Sequence, residues 1–451
     1  MRTHVFLTAL VALLSSRVVS AGAAAEYDLA ACIRAALSNS PDLSTAAADL
    51  ASARARLAEA KAGRWGRSEY NQVLGFVNEA KGNPTNSEGT NRNDLFAGLG
   101  PFTRLELNVD IPLWTFGKLE AALQAAQEGL ESEQARTDSR RADVILSTKQ
   151  LYYGLLLAQQ LSGILHDMLD TMDKAVKKTQ ERLDAGSSAV TELDLLKLKT
   201  GRARFAKGVV EVDASVNLTR SALARAIGVT DPAFDIADRK LVPVDATIGP
   251  LDDYLAQGPE QRPETRQIKT GLAAQSAKVN LEEAEYYPTV FLATGVRWAH
   301  AGNRDRQTNP FAYEDFNYVQ PVGVVGIHWD LSFFRTSAKV DEARADLDRL
   351  AAQQRAAASG LQLEIRRAYS DVVQARDTIK VTEEGRKAGR GLLILSLSNF
   401  ELALGEAEEL FKALGAYTEA SSDYFRAVHD YDVAVGTLSK AVGRELTSLT
   451  Y

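Results

Sequence analysis

The chain contains two copies of one structural plan, and this internal duplication constrains its fold more than any other feature of its 451 residues. Residues 39–43 have the sequence Asn-Ser-Pro-Asp-Leu and open an Ala-rich helical stretch. Residues 261–264, Gln-Arg-Pro-Glu, open a similar stretch in the second half. The halves close on matching sequences, Ala-Ile-Gly at 226–228 and Ala-Val-Gly at 441–443. A repeat of this length indicates that one supersecondary unit occurs twice.

Both halves contain a long region without proline. All 12 prolines lie outside residues 113–231 and 322–451. Because proline interrupts helix interiors, these regions permit very long helices. Apolar residues recur in them at intervals of three and four, as at Leu119, Leu123 and Leu130. The pattern predicts coiled-coil helices over 118–185 and 337–404, each roughly 100 Å long at a rise of about 1.5 Å per residue.

Gly186 and Gly405 each follow one predicted long helix and precede a second helical run. We expect both glycines to adopt the left-handed conformation that ends many helices, because glycine has no Cβ to oppose it. A short connection makes the two helices antiparallel neighbours. Each half therefore contains a helical hairpin, with its turn at Gly186 or Gly405.

Each half also contains two stretches in which apolar and polar residues alternate. In residues 104–111 the even positions are charged or polar and the odd positions are Leu, Val or Ile. Near residue 330, Val325, Ile327, Trp329 and Leu331 share one predicted face. Strands of about ten residues with this period are typical of transmembrane β-barrels, and the pattern also fits soluble hairpins. The predicted strands cover about 68–78 and 102–114 in the first half, and 288–299 and 319–333 in the second.

Two observations favour the barrel. Trp65, Trp114, Trp298 and Trp329 lie within or beside the predicted strands, where a membrane-interface belt would require them. In addition, four strands are too few to close a barrel, and an open sheet edge cannot face lipid. Other copies of the chain must therefore complete the sheet.

The first 25 residues predict a cleaved secretory signal peptide. Arg2 is followed by an apolar run at 5–14 and by small residues at 21–25. An uncleaved anchor is the alternative interpretation. The formal net charge of the chain is -7, and loss of Arg2 and Arg17 makes it more negative. Nucleic acid is therefore not an expected partner, because phosphate binding needs a basic surface.

The single cysteine, Cys32, excludes an intrachain disulfide and a cysteine metal site. It ends the sequence Leu-Ala-Ala-Cys, which is similar to a lipidation signal. Glu26 and Asp28 separate that sequence from the apolar run, whereas a lipidation signal follows such a run directly. We therefore expect a buried cysteine on a helix face rather than a lipid anchor.

These features divide the chain into four segments. They are a signal peptide at 1–25, a first repeat at 26–228, a linker at 229–262 and a second repeat at 263–451. Four prolines make the linker irregular, with a short helix expected around 251–256.

The order and spacing of these segments, in two copies, resemble the TolC-type outer-membrane efflux protein family. The resemblance covers essentially the whole mature chain and includes Ile-Pro-Leu-Trp-Thr-Phe-Gly at 111–117, before a long helix. It implies a fold that is mainly α with a β-barrel portion, built from duplicated long coiled-coil hairpins plus four strands per chain. Three chains would form one 12-stranded outer-membrane β-barrel and a periplasmic α-helical tunnel.

The resemblance implies a passive exit duct rather than an enzyme. The homotrimer would lie in outer-membrane lipid and work with a periplasmic adaptor and an inner-membrane transporter, in tripartite efflux or type I secretion. No cofactor is implied, and the sequence lacks a phosphate-binding loop, catalytic motif or metal-ligand spacing. A soluble periplasmic coiled-coil scaffold or adaptor without a pore is the alternative, although it leaves the alternating strands unexplained.

The resemblance also implies roles for the hairpin turns. Adaptors would dock at the turns, and acidic residues just beyond them would line the periplasmic entrance. Residues 191–196 resemble a family motif, Thr-x-x-Asp-Val-Leu, although the aspartate lies later after the glycine than is usual. Acids at a helix start are also favoured by the helix dipole alone. The predicted docking residues are Gly186, Ser187, Ser188, Gly405 and Glu406. The predicted entrance residues are Glu192, Asp194, Glu408 and Glu409.

Overall fold

The computed structural model describes residues 26–81, 98–187, 190–230, 234–307, 310–311, 313–402 and 404–451. The predicted signal peptide and Ser188 lie outside these residues. The described helices are α1 (Leu29–Asn39), α2 (Pro41–Ala62), α3 (Lys118–Asp184), α4 (Glu192–Ile227), α5 (Leu251–Gln261), α6 (Pro263–Ala284), α7 (Phe333–Glu401) and α8 (Ala407–Val442). The described strands are β1 (Glu26–Tyr27), β2 (Arg67–Val77), β3 (Gly100–Trp114), β4 (Asp235–Ile236), β5 (Thr289–Ala301) and β6 (Tyr318–His328).

The fold predicted for one chain, long helical hairpins plus four strands, is confirmed. Helices α3 and α7 contain 67 and 69 residues, and each is followed by a 36-residue partner, α4 or α8. At about 1.5 Å per residue, α3 and α7 are each roughly 100 Å long. Among the described helices, none combines the length and the apolar composition needed to cross a membrane.

The four long strands form one antiparallel sheet in the order β2-β3-β5-β6. The register brings together side chains of like character. Leu107 lies opposite both Tyr70 and Val296, whereas Glu106 lies opposite Asn71 and Arg297. The sheet therefore has one apolar and one polar face, because cross-strand partners point to the same side.

The two faces of the sheet extend across all four strands. The apolar face includes Tyr70, Leu74, Phe76, Leu105, Leu107, Val109, Ile111, Leu292, Val296, Trp298, Val319, Val325 and Ile327. The polar face includes Arg67, Glu69, Asn71, Arg104, Glu106, Asn108, Asp110, Arg297 and Gln320.

The last strand is shorter than the predicted 319–333. It ends at His328, so Trp329 and Leu331 do not continue its face. Asp330 causes the break, since its side chain accepts hydrogen bonds from the backbone N–H and the hydroxyl of Ser332. This local turn competes with the strand and leads directly into α7.

The linker contains more regular structure than predicted. Helix α5 continues to Gln261 through Pro259, beyond the expected end near residue 256. Packing supports the continuation, because Tyr254 is buried and a Cβ at Gly258 would lie 2.8 Å from Ile365 Cδ1. The linker also supplies β4, which pairs in parallel with β1.

Three apolar clusters hold the helices together. One contains Cys32, Tyr152 and Leu223 and joins α1, α3 and α4. A second joins α5, α7 and α8 around Ile365 and Leu438. Cys32 is fully buried, as expected for a helix-face cysteine, and burial raises the pKa of its thiol to about 12.

Candidate functional site

The third cluster lies at the ends of the two hairpins and contacts every long helix. Met172 of α3, Leu198 of α4, Phe400 of α7 and Leu410 of α8 are all buried in it. The two hairpin turns, with the predicted docking and entrance residues, are therefore parts of one site. We refer to this region, residues 182–198 and 400–412, as the hairpin tips.

Gly186 adopts the left-handed conformation that its sequence context predicts, with φ of 69°. The N–H of Gly186 donates to Leu183 O (2.9 Å), and the N–H of Ser187 donates to Arg182 O (3.0 Å). These two bonds form a Schellman motif, which satisfies carbonyl groups left free at the end of α3. The first turn is therefore closed mainly by its own backbone.

Gly405 does not adopt the left-handed conformation, so that part of the prediction is wrong. The N–H groups of Leu404 and Gly405 both donate to Asn399 O, at 2.9 and 3.1 Å. This turn folds the chain back on α7, and a Cβ at position 405 would lie 3.0 Å from Asn399 Cβ. Glycine suits the position because the backbone approaches closely, not because φ is positive.

Asp194 forms part of a capping box at the start of α4. Its carboxylate accepts from the N–H and the hydroxyl of Thr191, at 3.0 and 2.7 Å. Its own N–H donates to Thr191 Oγ1 at 3.2 Å. The aspartate of the motif thus accepts hydrogen bonds at the N-terminus of α4. This capping role explains the motif at residues 191–194 without any ligand.

Glu408 lies between two lysines. Its carboxylate oxygens are 2.8 Å from Lys412 Nζ, on the same helix, and 2.9 Å from Lys197 Nζ on α4. The hydrogen bonds from Lys412 and Lys197 lower the pKa of Glu408 to about 2. Much of the charge of this glutamate is therefore balanced within the chain.

The remaining acids at the tips are exposed and lack the salt bridges that Glu408 forms. Glu192 and Glu409 lie exposed in the first turns of α4 and α8, and neither forms a salt bridge with another described residue. Glu406 is exposed at the N-cap of α8 and makes no side-chain capping bond. The four predicted entrance acids are thus unequal in their surroundings, and their role at an entrance stays a prediction.

Arg182 joins the two tips and was not identified from the sequence. Its guanidinium donates to Phe400 O at 3.1 Å and to Glu401 O at 2.8 Å, and it stacks over the Phe400 ring at 5.6 Å. These carbonyls belong to the last turn of α7, where free acceptors favour a cation. A single arginine in a helix gives no sequence signal for such a distant contact.

Four exposed leucines lie at the tips and were also missed. Leu193, Leu196, Leu402 and Leu404 are 60%, 54%, 67% and 78% exposed. They lie in the first turns of α4, at the end of α7 and in the second hairpin turn, so the helical pattern did not single them out. Exposed apolar side chains can mark a surface that contacts another protein.

The polar face of the sheet forms a second candidate surface. It carries three arginines, Arg67, Arg104 and Arg297, and three acids, Glu69, Glu106 and Asp110. Arg67 lies 3.2 Å from Glu69 and Arg104 lies 3.5 Å from Glu106. The charges on this face are therefore balanced and interspersed. In the part of the chain described, no group of three or more His, Cys, Asp or Glu is arranged to hold a metal ion.

Comparison with known proteins agrees with this geometry. The family model described as outer membrane efflux protein matches residues 85–229 and 256–444, one stretch in each repeat. The cobalt-zinc-cadmium resistance protein CzcC of Cupriavidus metallidurans is 23% identical over 197 residues, which are 44% of this chain and 46% of CzcC. Protein CyaE of Bordetella pertussis is 24% identical over 310 residues, 68% of this chain and 64% of CyaE. The matched part thus spans less than two thirds of either relative.

The fold also matches solved structures over nearly its whole length. The CmeC outer membrane channel of Campylobacter jejuni superimposes with a TM-score of 0.75 at 16% identity. The match covers 94% of this chain and 87% of CmeC. At this identity the similarity concerns the fold, and the family match extends over most of the chain.

Proposed function

The chain belongs to the outer membrane efflux protein family, and from this we propose that it forms a homotrimeric outer-membrane exit duct. Members of this family are transport channels rather than enzymes. The duct would discharge the substrate of a tripartite efflux or type I secretion system, which a periplasmic adaptor and an inner-membrane transporter deliver.

The observation that carries the proposal is the two-faced sheet. Leu74, Phe76, Val325 and Ile327 of its apolar face are between 66% and 76% exposed in the single chain. A soluble protein rarely leaves so large an apolar surface in water, whereas a barrel wall turns it to lipid. The polar face would then line a water-filled pore. A soluble scaffold without a pore does not account for this arrangement.

The free edges of the sheet support a trimer. Strand β2 pairs only with β3, and β6 pairs only with β5, within the described residues. Unpaired backbone N–H and C=O groups cannot be left in lipid, so β6 of one copy would pair with β2 of the next. Three copies of four strands give 12, within the range of known outer-membrane barrels.

The hairpin tips would form the periplasmic end of the duct, far from the sheet along α3 and α7. We assign adaptor docking to the two turns, Gly186, Ser187, Ser188, Gly405 and Glu406, together with the exposed leucines beside them. We assign the entrance acids to Glu192, Asp194, Glu408 and Glu409. Rings of like charge are a general means by which channels select ions, and the balanced charges of the polar face would add little selectivity.

We also propose export by a cleaved signal peptide and insertion in the outer membrane, with the helices in the periplasm. N-terminal sequencing of the mature protein and membrane fractionation test this part. A mature chain that starts near Glu26 and sediments with the outer membrane is expected. A chain recovered from the soluble periplasm would contradict the proposal.

Conductance of the purified protein in planar lipid bilayers is the central experiment. We expect discrete single-channel openings from a particle whose mass in detergent equals three chains. Heat-denatured protein in the same detergent is the control for artefactual leakage. A monomer that binds lipid without conducting would overturn the proposed function.

A further inference from the structure

The edges of the sheet and the edges of the helical layer coincide. Helix α2 leads into β2, and β6 leads into α7, so both helices continue from the unpaired strands. Helix α2 packs mainly on α3, through the buried Ala46 and Leu50. Near the sheet, α7 packs on α6 through Thr336, Val340 and Ala343. Among the described residues, no other element packs to a comparable extent on the other side of α2, or of α7 near the sheet.

These free sides are long and exposed. On α2 the side away from α3 carries Ala48, Ala51 and Ala55, all exposed. On α7, no side chain between Ala343 and Ile365 is buried. Alanine is small, so an alanine-rich face allows a second helix to approach closely. We therefore expect these faces to be covered in an assembled particle. The continuity with the strand edges makes a second copy of this chain the occupant.

The free sides differ in charge. Arg54 is exposed on α2, whereas Arg56 lies in the groove between α2 and α3, on the same flank as the Asp49 that pairs with α3. Asp341 and Glu342 are exposed at the corresponding part of α7. In the part of the chain that the structure covers, Arg54, Asp341 and Glu342 form no salt bridge.

The opposite charges lie the same number of residues from the sheet. Arg54 precedes the start of β2, Arg67, by 13 residues, and Asp341 follows the end of β6, His328, by 13 residues (67 minus 54 and 341 minus 328). On each side eight of these residues are helical (62 minus 54 and 341 minus 333), which is about 12 Å at about 1.5 Å per residue. Pairing of β6 with β2 of the next copy would therefore bring these residues level.

We propose that Arg54 of one copy forms salt bridges with Asp341 and Glu342 of the next copy, as a ring just below the barrel. This inference rests on the proposed trimer and names its contact. Exposed ion pairs contribute little, but these pairs would lose water contact when α7 packs on α2, and their alignment would select the correct edge-to-edge pairing.

Charge reversal tests the contact. Arg54→Glu should raise the trimer dissociation constant in detergent by about tenfold or more, and so should Asp341→Lys with Glu342→Lys. The combination of all three changes should recover most of the trimer. Glu131→Lys is the matched control, because Glu131 is exposed on α3 and lies away from both edges. Native mass spectrometry measures each variant.

A cross-linking experiment gives an independent readout. Arg54→Cys with Asp341→Cys should yield covalent trimers with a short bismaleimide, while Glu131→Cys with Asp341→Cys should not. Cys32 is fully buried and stays in place in both variants. A monomeric wild-type chain would refute the proposed function. If the wild type is a trimer, either tolerance of both reversals or failure of the combination to restore the trimer, together with absence of the cross-link, would refute this inference alone.

Discussion

The side-chain amide of Asn39 donates a hydrogen bond to the backbone carbonyl of Ile227, at 2.8 Å, and so ties the opening motif of the first repeat to its closing one. Next to Ile227, Gly228 has φ of 74°, and a Cβ there would lie 2.8 Å from Asn39 Cβ. The second repeat has the same contact in another form. A Cβ at Gly443, also with φ of 74°, would lie 2.8 Å from Gln261 O.

The Asn39 bond predicts a local stability effect. Asn39→Ala should lower the free energy of unfolding by about 1 kcal/mol, because the Ile227 carbonyl at the end of α4 loses its hydrogen-bond donor. Thermal unfolding in detergent, followed by circular dichroism, measures the change. Ser38→Ala is the control, since the hydroxyl of Ser38 bonds only within its own turn. Equal effects of the two substitutions would contradict the assigned role of Asn39.

The two faces of β3 predict opposite sensitivity to charge. Leu107→Arg or Val109→Arg should reduce trimer assembly, because arginine at the lipid-facing midplane of a barrel costs about 2–4 kcal/mol. Asn108→Arg should do less harm, since Asn108 lies on the polar face opposite Glu69. Yield of membrane-inserted trimer is the measurement. Similar yields from all three variants would contradict the assignment of the apolar face to lipid.

The entrance acids predict a change in ion selectivity. Replacement of Glu192, Asp194, Glu408 and Glu409 by Ala should reduce cation preference and weaken block by multivalent cations from the periplasmic side. Changes at Glu131 and Glu133 should have less effect, because screening limits exposed charges to a Debye length of about 8 Å. Reversal potentials in asymmetric salt provide the test.

The structure divides this effect among the four acids. Glu192→Gln with Glu409→Gln should account for most of it, because Glu408 is balanced by two lysines and Asp194 caps α4. Asp194→Ala should instead destabilise α4 by about 0.5–1.5 kcal/mol, because the N–H of Thr191 loses its carboxylate acceptor. Wild-type selectivity and block in the fourfold variant would show that the acids do not line the entrance, and the channel itself would remain.

A buried acid predicts that the folded state becomes less stable as the pH rises towards 8. Asp432 is 1% exposed, accepts a bond from Val244 N–H at 2.9 Å and leaves its second oxygen unpartnered. Burial raises its pKa to about 8. The stabilising contribution of the protonated form is complete below about pH 4 and is lost as pH rises towards 8, at up to about 1.4 kcal/mol per pH unit.

Asp432→Asn should remove this dependence. Between pH 5 and 8 the thermal midpoint of the wild-type chain should fall relative to that of the variant. Asp423→Asn, an exposed acid on the same helix, should follow the wild type. Tyr153 of α3 and Tyr431 of α8 interact electrostatically with Asp432, and burial raises the pKa of both tyrosines. Parallel curves for Asp432→Asn and the wild type would contradict the prediction.

Much of the architecture could be predicted because it follows from local periodicity. The three-and-four spacing that begins at Leu119 specifies a helix, and the alternation over 104–111 specifies a two-faced strand, whatever lies nearby. The proline-free regions of the sequence predicted α3 and α7 at nearly their full length. Duplication then extended each assignment to the other half.

Local patterns failed where a short turn or packing decided the outcome. Gly186 and Gly405 occupy equivalent places in the sequence, yet of these two only Gly186 has positive φ. In the second turn the N–H groups of Leu404 and Gly405 both donate to Asn399 O, and this fixes a different backbone conformation. The hydrogen bonds of Asp330 end β6 early. Burial of Tyr254 stabilises α5 beyond Pro259. In each case one local or tertiary contact outweighed the propensity of the segment.

The sequence by itself determined the duplicated hairpins, the strands and their faces, since the residues that specify each one are neighbours along the chain. Tertiary structure alone decided how the candidate site is held. Arg182 meets Phe400, and Lys197 meets Glu408, across more than 200 positions. Nothing in either segment encodes the other, and only the antiparallel packing of both hairpins brings these charges together and balances one of the predicted entrance acids.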